Sequence, residues 1–136
     1  MNIIEEVRRC SELFADLPAI LDRDRQETHR ELWSRVDRLS QAFVSIGLRK
    51  GERLIAWLPN CIEAIECELA CLQSGAVWIT LHQQMTWREV AGVIRSTEPA
   101  LIVAHSEIWA KTDRRELAAI CSAPVILVED DEGGLA

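Results

Sequence analysis

Three kinds of side chain in this sequence could do chemistry, and each is spaced for something simpler. The cysteines are Cys10, Cys61, Cys67, Cys71 and Cys121. Cys67 and Cys71 share a helical face at i, i+4, but a metal site wants closer pairs with histidines beside them, and no Cys-x-x-Cys occurs. They read as small buried hydrophobes. His29, His82 and His105 stand apart in loops or beside caps, and no Gly-x-Ser-x-Gly elbow follows a strand. His82 comes nearest to function, because it follows the carboxyl end of a strand, where open α/β sheets bind ligands. Glu63, Glu66 and Glu68 look like a carboxylate cluster, yet they fall at different angles on one helix and read as its wet side plus a cap. No catalytic, cofactor-binding or metal-binding residue is assigned.

Cations and glycines are equally reticent. The only lysines are Lys50 and Lys111, and Lys50 lies in a turn between a helix and a strand. Arg30, Arg35, Arg38, Arg88 and Arg95 are scattered through helical stretches as solvated faces. A formal net charge of -7 disfavours nucleic acid, which needs clustered Lys and Arg. Gly47 and Gly51 close a helix instead of opening one, so they make no Gly-x-Gly-x-x-Gly dinucleotide fingerprint. Of the tryptophans, Trp57 and Trp78 lie in strands and are expected in the core. Trp33, Trp87 and Trp109 fall at helix starts or beyond, where an exposed patch would mark an interface.

The elements that must position these groups follow from hydrophobic pattern and punctuation. At 136 residues, 49% apolar and 27% charged, the chain is one globular domain by length. Residues 1–17 form an amphipathic helix lying on the body through Ile3, Ile4, Val7, Phe14 and Leu17. They lack the apolar run of a secretory signal, and no stretch nears the ~20 residues of a membrane span. With an odd number of cysteines as reduced thiols, the cytoplasm is the expected compartment.

Residues 18–128 read as an α/β unit. A short strand from Pro18, a charged turn at 22–26 and a second extended piece ending at Thr28 come first. Thr28 and Glu31 form a capping box, and the helix behind it buries Leu32, Val36, Leu39, Phe43 and Ile46 before Gly47 ends it. The strand Arg53–Leu58 leads to a helix capped by Asn60, with Ile62, Ile65, Leu69 and Leu72 inward and Gly75 at its end. Ala76–Leu81 is a strand apolar on both faces. A second box, Thr86 with Glu89, opens a helix that buries Val90, Val93 and Ile94 and stops before Pro99. Strand Ala100–Ala104, a helix from Ser106 through Leu117 and Ile120, and strand Pro124–Val128 complete the unit. Residues 129–136 are an acidic, glycine-rich tail. Strands alternating with helices predict a parallel sheet with right-handed β-α-β crossovers.

Several segments, in this order, resemble the start of the AMP-forming acyl-CoA synthetases, the adenylate-forming ligase family. They are Thr28–Leu32, Gly47–Glu52, Leu58–Asn60, Glu68–Ala70, Gly75–Val77 and Thr86–Glu89, with the helix and the strand Ala100–Ala104 that follow. Together they cover about Pro18 to Val128. His29 replaces an aromatic Tyr of the family pattern, and Thr80 and His82 replace its Pro and Asn. The resemblance implies the large N-terminal domain of a ligase that uses ATP and Mg²⁺ to make an acyl-adenylate from a carboxylic acid, then a thioester with CoA.

The family's Ser/Thr/Gly-rich phosphate loop ending in Pro-Lys has no counterpart among these residues, nor do its adenine-binding aromatic motif, ribose-binding Asp or C-terminal lysine. The expectation is therefore a portion inactive alone that binds none of these cofactors by itself. The alternative is a non-catalytic module that associates with a separate part of the ligase or with itself.

Overall fold

The computed structural model describes residues 2–129. Their elements are α1 (Ile3–Glu12), β1 (Pro18–Asp22), β2 (Arg25–Thr28), α2 (His29–Ile46), β3 (Arg53–Trp57), α3 (Ile62–Gln73), β4 (Val77–Thr80), α4 (Trp87–Thr97), β5 (Leu101–His105), α5 (Ser106–Trp109), α6 (Arg114–Ile120) and β6 (Val125–Val128). The last four strands form a parallel sheet in the order β4-β3-β5-β6. Each of these strands is joined to the next in the chain by a helical crossover, as expected.

β1 and β2 stand outside that sheet as an antiparallel hairpin. Their connection is a two-residue turn, too short for the crossover that parallel pairing requires. Arg23 takes φ 53° in that turn.

Strand alternation divides the core. Leu54, Ala56, Leu101 and Val103 face α2, α3 and the hairpin, while Ile55, Trp57, Ile102 and Ala104 face α4, α5 and α6. Both capping boxes are formed at Thr28–Glu31 and Thr86–Glu89. Gly47 ends α2 at φ 116°, a conformation that disfavours any side chain. Gly75 follows α3 at φ 75°, with Lys50 Cγ only 3.0 Å from where a Cβ would stand.

Six expectations are corrected. α3 is capped at Cys61, not Asn60, and no side chain serves the cap. Its buried face is Ile62, Glu66, Cys67, Ala70 and Cys71, whereas Ile65 and Leu72 are exposed. Small residues on that face let α2 approach closely, which an Ile65–Leu72 stripe would prevent. On α2 the stripe stops at Phe43, and Ile46 is exposed.

β4 is an edge strand, and Val77 on it is 46% exposed, so it is not covered on both faces. The helix from Ser106 breaks into α5 and α6. There the Asp113 carboxylate accepts from the amides of Arg115 and Glu116 and starts a new helix. The N-terminal helix ends at Glu12, short of the expected residue 17. It has only Ile4 and Ser11 buried and leaves Ile3 and Val7 exposed, and Phe14 and Leu17 beyond it are exposed too. The tail beyond Glu129 lies outside the described residues.

Candidate functional site

The carboxyl edge of the parallel sheet is where such a fold places a ligand. Here β3 delivers the turn Leu58–Asn60, and β4 delivers Leu81–Gln84. The indole Nε1 of Trp57, a side chain with no exposed surface, donates to the backbone oxygen of His82 at 3.1 Å and pins the second loop to the first. His82 Nδ1 accepts from the amide of Gln84 at 3.1 Å. Lys111 Nζ donates to the backbone oxygen of Gln83 at 3.0 Å and stands 6.0 Å from the Trp57 ring centroid.

Two clefts open between these loops. One of about 380 Å³ is lined by Leu58, Asn60, Thr80, Leu81, His82 and Gln83. The other, about 360 Å³, shares Leu58, Asn60 and Thr80 and extends along Pro59, Cys61, Ala64 and Trp78.

The first cleft offers an amide, a hydroxyl and an imidazole, groups that orient a polar ligand. In the second, burial pushes the Cys61 thiol up to about 11, so it is no nucleophile at neutral pH. These residues do not fit the phosphates of ATP. The amide of Glu89 in the first turn of α4 donates to Thr86 Oγ1, and Glu89's own carboxylate accepts from Thr86 N. The first turn of α3 carries Glu63, and Lys111 is committed to Gln83. An incoming polyphosphate would meet carboxylates where it needs free amides.

The histidines are not brought together. His82 is exposed at the cleft, His29 lies between α1 and α2, and His105 is buried, its Nδ1 accepting from Glu107 N at 3.3 Å. Cys67 and Cys71 are buried as expected, and burial raises both thiols to about 12. Among the described residues no three His, Cys, Asp or Glu side chains lie together as a metal site would require. Trp33, Trp87 and Trp109 form no exposed patch of the kind that would mark an interface. Trp33 and Trp109 are buried, Trp87 is half-buried with Nε1 donating to Glu116 at 2.7 Å, and Trp78 is half-buried on the edge strand.

The glutamate reading is corrected at one position. Glu68 is exposed, and Glu63 accepts from Arg25 at 2.8 Å. Burial, the largest single influence, opposes ionisation of Glu63, but Arg25, the backbone amide of Glu63 and Cys61 together hold the carboxyl below its ordinary value. Glu66, however, is 1% exposed and accepts from Arg35 Nε at 2.6 Å. The same Nε lies 3.4 Å from buried Glu27. Arg35 is thus an exposed residue, its side chain 45% accessible, that also pairs with two buried carboxyls. The usable sequence signal was Glu66 standing four residues from both Ile62 and Ala70, inside the buried stripe.

Against this geometry, the sequence matches the profile of the AMP-binding enzyme family over residues 7–134. The chain belongs to that family. Among curated AMP-binding relatives, the crotonobetaine/carnitine–CoA ligase of Escherichia coli is 26% identical over 110 residues, 76% of this chain and 21% of the relative. Two solved structures share the fold. Coronafacic acid ligase from Pectobacterium brasiliense superposes at TM-score 0.87, 20% identity, covering 100% of this chain and 27% of its own. A benzoate CoA ligase from Burkholderia xenovorans gives 0.86 at 17% identity, covering 94% and 26%. The chain therefore spans 21–27% of the length of these relatives, and the match is to the N-terminal domain of adenylate-forming ligases. No helix among the described residues is long and apolar enough to cross a membrane.

Proposed function

We propose that this chain is the N-terminal scaffold portion of an acid–CoA ligase and does not turn over substrate by itself. In a complete ligase of this kind, ATP activates a carboxylic acid as its acyl-adenylate, and CoA then receives the acyl group. The observation that supports this reading is the contrast at the sheet's carboxyl edge. The family match runs across it, yet the helix-start amide of Glu89 and the Lys111 ammonium are spent on a cap and a loop. Among the described residues the cleft itself offers only neutral polar groups, Asn60, Thr80, His82 and Gln83, with no cation to stabilise charge on a transferred nucleotide. Acids resembling the relatives' own, crotonobetaine or benzoate, are the class to try. Five free thiols suit a reducing, cytoplasmic setting. Pyrophosphate exchange into ATP, assayed with the purified chain and a carboxylate panel, should stay at background. Clear carboxylate-dependent exchange would sink the reading.

A second reading is favoured by α1. Ile3 and Val7 on α1 and Leu13, Phe14 and Leu17 just after it are 72%, 44%, 78%, 51% and 55% exposed. A module that associates with a separate ligase part, or with its own copy, would cover those side chains. Sedimentation over a concentration series should then show mass growing with concentration. A strictly monomeric chain would count against self-association.

A further inference from the structure

Two carboxyl groups are buried against one guanidinium beneath the hairpin. Glu27 on β2 is 8% exposed and Glu66 on α3 1%, and they lie within hydrogen-bonding reach of each other. Arg35 of α2 reaches both through Nε, at 3.4 Å and 2.6 Å. Among the described residues no donor reaches Glu27 Oε2, although that atom is buried. An ionised oxygen in such a place would lose its solvation with no compensating bond. A protonated one needs only an acceptor, and Glu66 is the acceptor at hand. We infer that the Glu27–Glu66 pair under Arg35 is a proton-operated latch that holds the β1–β2 hairpin on α2 and α3.

The surrounding charges support the assignment. From α3 the site faces Glu66 and Glu63, from α2 Arg35, and from β2 itself Arg25, which is committed to Glu63. β1 presents Ile20 opposite Glu27 and places Asp22 opposite Arg25. Three carboxyls therefore share two guanidiniums: Arg25 serves Glu63, and Arg35 must serve both Glu66 and, at the longer distance, Glu27. Burial, then Glu66, pushes Glu27 up to about 7.

The sign follows directly. A carboxyl whose folded pKa lies above its unfolded value of about 4.5 stabilises the fold most at low pH, and that contribution falls as pH rises towards about 7. Above that, two carboxylates repel across one guanidinium and the hairpin loosens. Arg25 of β2 also donates to Glu63 in the first turn of α3, a second contact that ties the hairpin to that helix.

The test uses the full chain and Glu27→Gln, which mimics the protonated state. Urea unfolding between pH 5 and 8 should show the native chain's unfolding constant rising by up to about tenfold per pH unit until Glu27 has titrated. The variant should lack that component. Carboxyl-carbon NMR of the unmutated chain should place the Glu27 midpoint near neutrality, and hairpin amides, corrected for intrinsic exchange rates, should exchange faster above it. If Glu27→Gln fails to fold, the NMR midpoint alone decides. A Glu27 midpoint between 4 and 5, or parallel pH curves for the two proteins, would overturn the latch.

Discussion

The two faces of the parallel sheet solve the same burial problem with different chemistry. Towards α4, α5 and α6, the sheet packs Ile55, Trp57 and Ile102 against Val90, Ile94 and Trp109. Trp57 and Trp109 meet edge to face at 6.5 Å and 79°. Towards α2, α3 and the hairpin, apolar packing is interrupted by Glu27, Glu66 and Arg35 and by the Ser40–Ser74 hydroxyl pair at 3.0 Å. Apolar contacts are non-directional and tolerate small slips. Buried hydrogen-bonded charges do not, because a displaced partner leaves the other unpaired at a cost of several kcal/mol. The α4 face supplies cohesion, and the α2–α3 face fixes how hairpin and helices register, at the price of sensitivity to pH.

The sharpest way to break the comparison is through volume. Trp57→Ala should destabilise the chain by about 3–5 kcal/mol, because it opens a cavity and leaves the His82 carbonyl without its donor. Urea unfolding at pH 5.5 and at pH 8 should give nearly the same loss, since what is removed is apolar packing and a bond from an indole N–H to a backbone carbonyl. Glu66→Ala attacks the other face and should cost less, about 2 kcal/mol. The full penalty for breaking a buried pair is discounted because the Arg35 side chain is 45% exposed and keeps Glu27 as a partner. Its signature lies in the pH profile. Without Glu66 to repel it, Glu27 should ionise more readily, and the stability difference between pH 5.5 and 8 should shrink. An equal loss at both pH values would make the two faces chemically alike.

Caps give a matched control, because each face owns one box-capped helix. Thr28→Ala and Thr86→Ala should each cost about 1 kcal/mol by thermal or urea unfolding. A loss at Thr28 well above that at Thr86 would show that the cap on α2 also positions the hairpin, which ends at the same residue.

These caps were legible in the sequence because a box needs only two residues three apart. The sheet was legible for a similar reason: each apolar run and its flanking helix are local, and right-handed crossovers leave few arrangements. The α3 stripe was misread because Ile65 and Leu72 are apolar, while the true face is built from small residues and one glutamate. What brings Glu66 inside is Arg35, far away in sequence on another helix. The hairpin's separation from the sheet was hidden for lack of any local mark of partner choice. The site was least legible. His82 was picked out by its position after a strand, but the bond from Trp57 that fixes its loop is a tertiary fact.

The smallest expected effect tests whether all charges on the α2–α3 face behave as Glu27 does. Arg8 of α1 donates to Asp37 of α2 at 2.6 Å and 2.8 Å, and Gln73 of α3 donates to the same carboxylate at 3.0 Å. The hydrogen bond from Arg8 outweighs burial and holds Asp37 below its ordinary value. The sign is opposite to that of Glu27. The contribution of Asp37 is present above its unfolded value near 3.8 and is lost as pH falls through the lower folded value. Both side chains are more than a third exposed, so Asp37→Asn should cost only about 0.5 kcal/mol at neutral pH. The variant should also lose less stability than the native chain between pH 5 and 3. Unfolding curves measured at those two pH values and at pH 8 would separate a shallow acid-side dependence, owned by the exposed Arg8–Asp37 pair, from a steeper neutral-side one, owned by the buried latch. If Asp37→Asn flattened the neutral side instead, the pH response would belong to the α1–α2 contact, and burial would not be what separates the two behaviours.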